Sequence, residues 1–401
     1  MILNKIFSVL KNGTERRKIC FVITSKIHYS RSKLILLELK KREERDQDVT
    51  LQVIVAASAL IKSYGDVEEL MKKDGLPISA RITMALEGGN TIAMAKTTGL
   101  GVIEFTSVFE NLNPDVVVLR GDRFEVLSAA VAAAYMNKTI AHIEGGDVTG
   151  SIDESIRHAI TKFSHLHFVT NEESRRRVIR MGEQPHYVFN VGASDVEFAS
   201  LATGSITNDD IHKVGEGREI DISEQFIIVM QHPVTTEFNL NSRHMEETLY
   251  ALESLKVPTI LIWSNTDAGA DEITSVIRRW RTEKGLDHYV RFVNYIEPSK
   301  FMGLLRKAAC VVGNSSSGIK ECSYLGTPVV NIGTRQAGRM RGNNVTDVPH
   351  SREKIIKAIE QQLQRARPYA QNTIYHMKDS SKIIARKLSK VPLYTQKFFA
   401  E

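Results

Sequence analysis

Residues 116–167 read VVVLRGDRFEVLSAAVAAAYMNKTIAHIEGGDVTGSIDESIRHAITKFSHLH and contain two apolar runs that each end in acids and glycines. The first run, Val116–Leu119, has no polar residue, which is typical of a parallel strand buried on both faces. Open α/β sheets bind their ligands at the carboxyl ends of such strands. We therefore expect the acids that follow these runs, Asp122 and Glu144, to lie in a cleft.

Further apolar runs of strand length recur on both sides of this segment, with helix-length stretches between them. This alternation predicts βαβ units and mostly parallel sheets. A polar interval near residues 205–219 separates two such series. The sequence therefore predicts two Rossmann-like α/β domains that face a central cleft, at 17–200 and 201–379. A final helix within 380–401 is expected to pack back on the first domain. The predicted strands are 19–24, 51–56, 116–119, 139–143, 166–169, 187–191, 226–230, 259–263, 289–293, 310–312 and 329–332.

The composition excludes several classes of protein. Of the 401 residues 42% are hydrophobic and 25% are charged, and no apolar run approaches the roughly 20 residues of a membrane span. The net charge of +6 comes from scattered basic residues, which favours a small anionic ligand over nucleic acid. Three cysteines without metal-ligand spacing indicate a reducing compartment, with the cytoplasm as the default. We expect residues 1–11 to form an amphipathic extension rather than a signal peptide.

The acids of the first series allow two interpretations. Asp122 follows a glycine and precedes an alanine-rich helix, so it is either a helix cap or a catalytic group. Glu144 precedes two glycines, which permit close backbone approach to a ligand. Two acids at neighbouring strand ends can split acid and base roles, and this pairing favours catalysis. Ser151 and Glu154 match a capping box, which leaves Asp153 as the acid for the cleft.

The second series carries features of an anion site. The stretch GNSSSGIKE (313–321) follows a predicted strand and opens a helix, an arrangement that suits a diphosphate. Glu321 is placed to accept hydrogen bonds from a ribose. His232 is either a structural histidine or a phosphate donor, and Arg335 and Arg339 suit phosphate or sugar. The sequence has no HExxH motif, no Cys/His framework and no GxSxG elbow. We therefore expect no metal site and no nucleophilic residue, and we expect no cofactor.

At these motifs the chain resembles the UDP-N-acetylglucosamine 2-epimerase family, and specifically its hydrolysing branch, which forms N-acetylmannosamine for sialic acid synthesis. The resemblance covers nearly the full length and implies a fold like that of the two-domain (GT-B) glycosyltransferases. The motifs that carry it are VITSKIHYSRSKL (22–34), GDRFE (121–125), HIEGGDVTGSIDESIRHAITK (142–162), QHPVTTE (231–237), SNTDAG (264–269), GNSSSGIKE (313–321) and GTRQAGR (333–339).

The resemblance also implies roles for residues. Asp122, Glu144 and Asp153 would surround the sugar and carry out catalysis. The residues implied to bind UDP are Lys26, Ser30, Arg123, His232, Asn265, Ile296, Phe301, Ser315, Ser316, Glu321 and Arg335. The implied reaction eliminates UDP to give a glycal and then adds water, which leaves a free sugar inverted at C2. Carboxylates suit this proton transfer.

Three residues depart from the family pattern. Lys26 replaces a phosphate-directed arginine, His28 replaces an acid, and Ala59 stands where relatives carry a histidine near the sugar. The sequence therefore predicts a UDP-N-acetylglucosamine 2-epimerase, or an enzyme for a related UDP-diacetamido-trideoxy sugar of the legionaminic acid pathway. Two alternative functions are a GT-B glycosyltransferase and a non-catalytic nucleotide-sugar sensor. The resemblance also implies a homodimer or tetramer.

Overall fold

The structure is a computed structural model that describes residues 16–62, 65–86, 90–264, 268–365 and 368–400. Within these residues the chain forms two seven-stranded sheets with helices between successive strands. This arrangement confirms the predicted pair of Rossmann-like α/β domains. The boundary at residues 200 and 201 stays a prediction.

The strands of the first sheet are parallel and lie in the order β3-β2-β1-β4-β5-β6-β7. The order reverses between β1 and β4, which is where open α/β sheets bind ligands. The strands are β1 (Arg17–Ile23), β2 (Val49–Ala56), β3 (Ala80–Ile82), β4 (Val116–Arg120), β5 (Thr139–Ile143), β6 (Leu166–Val169) and β7 (Val188–Asn190). The helices are α1 (Lys26–Arg45), α2 (Val67–Lys73), α3 (Thr91–Leu112), α4 (Phe124–Tyr135), α5 (Ile152–Phe163), α6 (Glu172–Arg180) and α7 (Ser194–Leu201).

The second sheet has the order β14-β13-β12-β9-β10-β11-β8, in which β8 is antiparallel to β11. Its strands are β8 (Gly215–Gly217), β9 (Ile227–Met230), β10 (Thr259–Ile262), β11 (Val290–Val293), β12 (Cys310–Gly313), β13 (Val329–Ile332) and β14 (Val345–Val348). The helices around it are α8 (Asn208–His212), α9 (Asn241–Leu255), α10 (Ala270–Lys284), α11 (Pro298–Lys307), α12 (Ser316–Ile319), α13 (Glu321–Leu325) and α14 (Arg352–Gln364).

The central strands are buried because helices cover both faces of each sheet. All five residues of β4 are buried, and apolar clusters lie on both faces of the first sheet. The second sheet has the same double core. Burial of every side chain on a strand explains why the apolar runs have no alternating polar positions. No described helix is long and apolar enough to cross a membrane.

The structure differs from the sequence prediction at the edges of the sheets and at the C-terminus. The short edge strands β3, β8 and β14 were not predicted, because they lack a continuous apolar run. The last helix, α15 (Ser380–Lys390), packs on α1 as expected but ends before the predicted limit. Residues after it continue without helix along the first domain, where the Tyr394 hydroxyl donates to the His165 carbonyl at 3.0 Å.

Candidate active site

Asp122 lies directly after β4, in a turn whose Gly121 adopts a positive φ of 76°. The residue that caps α4 is Arg123, and no side chain caps this helix. The structure thus removes the capping interpretation of Asp122. Its carboxylate instead accepts a hydrogen bond from the guanidinium of Arg157 on α5.

Arg157 organises the acids in this part of the cleft. Its side chain is 1% exposed, and its Nη1 also donates to the Asp147 carbonyl at 2.8 Å. Burial by itself would lower the pKa of Arg157, but the charges of Asp122, Asp147 and Asp153 raise it. Burial by itself would raise the pKa of Asp122, but Arg157 and Arg339 hold it below its usual value. Asp122 is therefore an ionised carboxylate at neutral pH.

Asp153 is on the first turn of α5, one helical turn before Arg157. Its Oδ2 accepts a hydrogen bond from the Ser151 hydroxyl at 2.9 Å. The predicted capping box is wrong, because the Ser151 side chain does not cap the helix. Glu154 reaches away from the helix start and accepts from the Thr149 amide at 2.6 Å. The serine is thereby free to bind Asp153, and Glu154 fixes the preceding loop.

Glu144 follows β5 with a positive φ of 73° and is 8% exposed. One oxygen, Oε1, accepts from Arg120 at 2.8 Å and from Lys320 of the second domain at 2.7 Å. Burial opposes its ionisation, yet Arg120 and Lys320 hold the pKa of Glu144 well below its usual value. Glu144 is thus a buried ion-pair partner that joins the two domains.

The ion pairs of Glu144 belong to a larger buried network. Asp195 on α7 lies 3.2 Å from Lys320 and 3.5 Å from Arg120. Arg31 on α1 lies 3.5 Å from Asp195 and donates to the Ser316 hydroxyl at 2.7 Å. Charges from both domains therefore meet at the base of the cleft. Each one compensates the desolvation of the others.

Two neutral histidines support the turn that holds Asp122. The Nε2 of His142 contacts the Gly121 carbonyl at 2.8 Å, and burial lowers the His142 pKa to about 4. His28, one of the three departures, is buried beside the same turn and contacts the Thr24 hydroxyl at 3.0 Å. Burial and nearby arginines lower its pKa to about 3. Ala59 is also buried, at 2% exposure.

On the second domain the predicted diphosphate segment follows β12. The expected single helix is split into the short helices α12 and α13, which meet at Lys320. Ser315 caps α12 through its side chain, and Ser316 faces Arg31 across the cleft. Glu321 accepts from the Ser317 hydroxyl at 3.2 Å through Oε1, whereas its buried Oε2 has no hydrogen-bond partner among the described residues.

Asn314 connects the other predicted phosphate residues. Its side chain accepts from the His232 amide at 2.7 Å and donates to the His232 carbonyl at 2.8 Å. Its own carbonyl accepts from Arg335 Nη1 at 3.2 Å and from Gln336 Nε2 at 2.9 Å. The structure therefore brings His232, Ser315 and Arg335 to one edge of the second sheet.

The remaining predicted UDP residues have different surroundings. The Lys26 ammonium lies 2.8 Å from the centre of the Tyr295 ring, and burial lowers the Lys26 pKa to about 8. Ser30 is half-buried on α1, next to Arg31. Ile296 and Phe301 are half-buried against the core of the second domain. Arg123 pairs with Glu125 at 3.0 Å, and its assignment to the nucleotide stays a prediction, whereas Asn265 lies outside the described residues.

The two domains contact each other along the cleft. The Gly150 amide donates to the Arg335 carbonyl at 3.2 Å, and a Cβ at Gly150 would lie 2.0 Å from the Thr334 carbonyl oxygen. A glycine is required here because the two loops touch through their backbones. A cavity of about 310 Å³ remains between the domains beside Lys26, Asp66 and Tyr295.

Sequence reasoning missed several charged residues of this site. A weak signal existed for Arg120, which ends a buried strand, and for Arg157, which is one turn after Asp153. Nothing in the local sequence indicates the pairing of Lys320 with Glu144, since the two belong to different domains. The structure adds Arg31, Arg120, Arg157, Asp195 and Lys320 to the predicted set.

The family model described as UDP-N-acetylglucosamine 2-epimerase matches residues 41–389. The chain belongs to the UDP-N-acetylglucosamine 2-epimerase family. Among its relatives is the hydrolysing UDP-N,N'-diacetylbacillosamine 2-epimerase of Legionella pneumophila, which is 32% identical over 95% of this chain and 97% of the relative. A UDP-N-acetylglucosamine 2-epimerase of Neisseria meningitidis is 30% identical over 79% of this chain and 81% of the relative.

Solved structures show the same fold. The UDP-GlcNAc 2-epimerase of Methanocaldococcus jannaschii, solved in complex with UDP-GlcNAc and UDP, superimposes with a TM-score of 0.75 at 17% identity, over 93% of this chain and 99% of the other. The Neisseria meningitidis enzyme bound to UDP-GlcNAc gives a TM-score of 0.72 at 17% identity, over 92% and 99% of the two chains. The fold is therefore the GT-B-like fold of this family.

Proposed function

We propose that this protein is a hydrolysing 2-epimerase that converts a UDP-2-acetamido sugar into UDP and the free sugar inverted at C2. The observation that carries this proposal is the ion pair of Asp122 with the buried guanidinium of Arg157, which lies one helical turn after Asp153 on α5. A fixed cation keeps a carboxylate ionised and oriented toward a substrate. The relatives that share most of the chain support the hydrolysing reaction.

The proposed reaction requires two proton transfers at C2 of the sugar. In the first step the C1–O bond breaks, UDP leaves, and a carboxylate takes the C2 proton, which gives a glycal. In the second step water adds to C1 and a carboxylic acid returns a proton to the opposite face of C2. General acid–base catalysis of this kind contributes about 10²–10⁴-fold to a rate.

We assign the removal of the C2 proton to Asp122. Arg157 holds it ionised, and its side chain is 27% exposed, so it is accessible from the cleft. Asp153 is the second catalytic carboxylate in this scheme, and its Ser151 partner orients it.

Glu144 receives a different role in this proposal. Its carboxylate is occupied by Arg120 and Lys320, and Lys320 is four residues after Ser316 in the diphosphate segment. We propose that Glu144 positions the segment through Lys320 and does not transfer a proton. Its side chain is 11% exposed, against 27% for Asp122, so it is the less accessible of the two acids from the cleft.

The nucleotide is proposed to bind on the second domain. His232, Ser315, Ser316 and Arg335 would contact the diphosphate, and the free Oε2 of Glu321 would accept hydrogen bonds from the ribose. Arg31 occupies the Ser316 hydroxyl in this structure. It would exchange that hydroxyl for a phosphate oxygen when UDP binds, which is a stronger, charge-assisted contact. Lys26, Ser30, Ile296 and Phe301 would border the rest of the nucleotide.

Two sugars are candidates. The Legionella relative, which covers nearly the whole chain, acts by name on UDP-N,N'-diacetylbacillosamine. The Neisseria relative, named for UDP-N-acetylglucosamine, supports the sugar predicted from the sequence. The buried Ala59 lacks the polar side chain that relatives carry near the sugar, which favours the less hydroxylated bacillosamine derivative. We rank that sugar first. The homodimer or tetramer and the cytoplasmic location stay predictions.

The test is proton NMR of the protein with each UDP-sugar in D₂O, in parallel reactions. We expect UDP and a free C2-inverted sugar that carries deuterium at C2, because the proton returned to the glycal comes from solvent. The higher kcat/KM identifies the substrate.

A matched Asp122→Asn reaction controls for contaminating enzymes. Release of UDP without inversion at C2, or transfer of the sugar to an added acceptor, would contradict the proposed reaction. UDP binding by calorimetry with no turnover of either sugar would support a sensor instead.

A further inference from the structure

A cluster of potential metal ligands lies in the second domain, apart from the acids around Arg157. Glu237 follows β9, His244 is in the first turn of α9, and His350 follows β14. One ligand atom from each residue lies within 4.8 Å of the others. The three residues are distant in sequence, so the cluster exists only in the folded chain.

Three of the four ring nitrogens in this cluster have no hydrogen-bond partner in the part of the chain that the structure describes. Both nitrogens of His350 are buried without a partner among the described residues, and so is Nδ1 of His244. The Glu237 carboxylate lies 3.5 Å from that Nδ1, beyond hydrogen-bond distance for a direct contact of good geometry. A buried imidazole normally satisfies at least one nitrogen, so this set is costly unless something else binds it.

The stacked rings of His244 and His350 must turn out of their parallel arrangement to bind one ion, because the lone pair of an imidazole nitrogen lies in the plane of its ring. The imidazoles of His244 and His350 are stacked with centroids 3.6 Å apart and planes 3° from parallel. Two nitrogen ligands of a tetrahedral zinc ion lie about 3.3 Å apart when each Zn–N bond is about 2.0–2.1 Å. A tilt of the rings about their side-chain bonds would bring both nitrogens toward a single ion near the Glu237 carboxylate.

Neighbouring residues support this arrangement. The Thr334 hydroxyl donates to Glu237 Oε1 at 2.6 Å, which leaves Oε2 directed at His244. Second-shell hydrogen bonds of this kind orient metal-binding carboxylates. Gly333 makes room for His350, because a Cβ at that position would lie 2.1 Å from its Nε2. Glu237 and His244 are partly exposed, at 25% and 14%, so an ion can enter.

We propose that Glu237, His244 and His350 form a binding site for a divalent transition-metal ion, with Zn²⁺ as the best fit. Two imidazoles and one carboxylate are a known zinc ligand set that leaves a fourth position open for water. A bound ion would tie the loop after β9, which carries His232, to the segment after β14. It would thereby hold the second-domain side of the nucleotide site together.

The experiment uses tag-free full-length protein that is stripped with EDTA, loaded with ZnCl₂ and desalted. Elemental analysis should find about one zinc ion per chain, as three convergent ligands imply. Thermal melting should show a higher Tm with zinc, because a ligand that binds only the folded state stabilises it. Thr334→Val should weaken zinc binding by about 10–100-fold, since it removes only the second-shell contact.

Two variants remove ligands in different ways. His350→Ala and the nearly isosteric Glu237→Gln should both lose the bound zinc and the Tm increase, and Glu237→Gln keeps the test valid if His350→Ala does not fold. His288→Ala, at an exposed histidine of the same domain, should bind zinc like the wild type. Zinc content in the wild type no higher than in Glu237→Gln would overturn the proposal.

Discussion

Asp122 and Glu144 both come just after neighbouring strands, β4 and β5, yet the fold gives them different surroundings. Asp122 is 27% exposed and pairs with Arg157 of its own domain. Glu144 is nearly enclosed and pairs with Arg120 and with Lys320 of the other domain. Two acids that look alike in sequence therefore differ in their surroundings and in the roles proposed for them: Asp122 is the more exposed, and Glu144 pairs with a residue of the other domain.

The largest effect is expected for Asp122→Asn. The amide cannot accept the C2 proton, so kcat should fall by about 10²–10⁴-fold. UDP affinity should stay close to wild type, because the nucleotide is proposed to bind the second domain. Steady-state assays of UDP release and calorimetric titration with UDP measure the two quantities.

A matched substitution, Asp209→Asn, changes a carboxylate that is 77% exposed on α8. Its kcat should equal that of the wild type. Unchanged kcat in Asp122→Asn would remove Asp122 from the catalytic set.

The next effect is on stability and concerns Glu144→Gln. Loss of this carboxylate leaves Arg120 and Lys320 buried with less compensation, and breaking a buried ion pair costs about 3–5 kcal/mol. The free energy of unfolding, measured with urea, should fall by this amount. Replacing Lys320 with Met in the same chain should restore part of the loss, since one uncompensated charge is removed.

Measuring both kcat and stability of Glu144→Gln separates a structural role of Glu144 from a catalytic one. If Glu144→Gln lowers kcat strongly while its stability is unchanged, Glu144 acts on the substrate and the contrast with Asp122 fails.

The pH dependence of stability sharpens the same contrast. The pKa of Glu144 is well below its unfolded value of about 4.3. At pH values between the folded and the unfolded pKa, the unfolded state therefore binds a proton that the folded state does not. Its stabilising contribution is present above about pH 4.3 and is lost as the pH falls through the folded pKa. Unfolding curves between neutral pH and about pH 3 should therefore have a shallower pH slope in Glu144→Gln. Similar slopes in the variant and the wild type would argue against the ion pairs.

The smallest effect is expected for Thr24→Val, which removes the hydroxyl that contacts His28. Loss of one such hydrogen bond costs about 1 kcal/mol. Because the pKa of His28 is about 3, the ring is neutral at working pH in both proteins. The pH–rate profile of Thr24→Val should therefore have the same shape as that of the wild type. An additional inflection in the variant's profile between pH 6 and 7, near the ordinary histidine pKa of about 6.5, would show that His28 does ionise.

Much of the fold was predictable because the central strands are continuous apolar runs. β4 and β5 are buried on both faces, and both were predicted within one residue of their ends. Three of the four edge strands, β3, β8 and β14, were missed because they lack a continuous apolar run, whereas the fourth, β7, was predicted. The C-terminal helix ends at Lys390 because Val391 adopts an extended conformation.

The candidate site was predictable in part. Acids after strands and a serine-rich turn before a helix are local signals, and in the structure Asp122 pairs with Arg157, Asp153 accepts from Ser151, and Ser315 caps α12. The partners of these residues were not predictable. The capping box failed because a hydrogen bond from Ser151 to Asp153 competes with the helix N-terminus, and a local pattern does not decide between them.

The sequence by itself determined the two α/β domains, the positions of the acids and the family, because strand periodicity and motif spacing are local properties. The tertiary structure alone decided which cations pair with each acid and that Lys320 of the second domain reaches Glu144. It also decided that Glu237, His244 and His350 meet. Ionisation and metal ligation depend on distances of a few ångströms between residues that are remote in the chain, and only packing sets those distances.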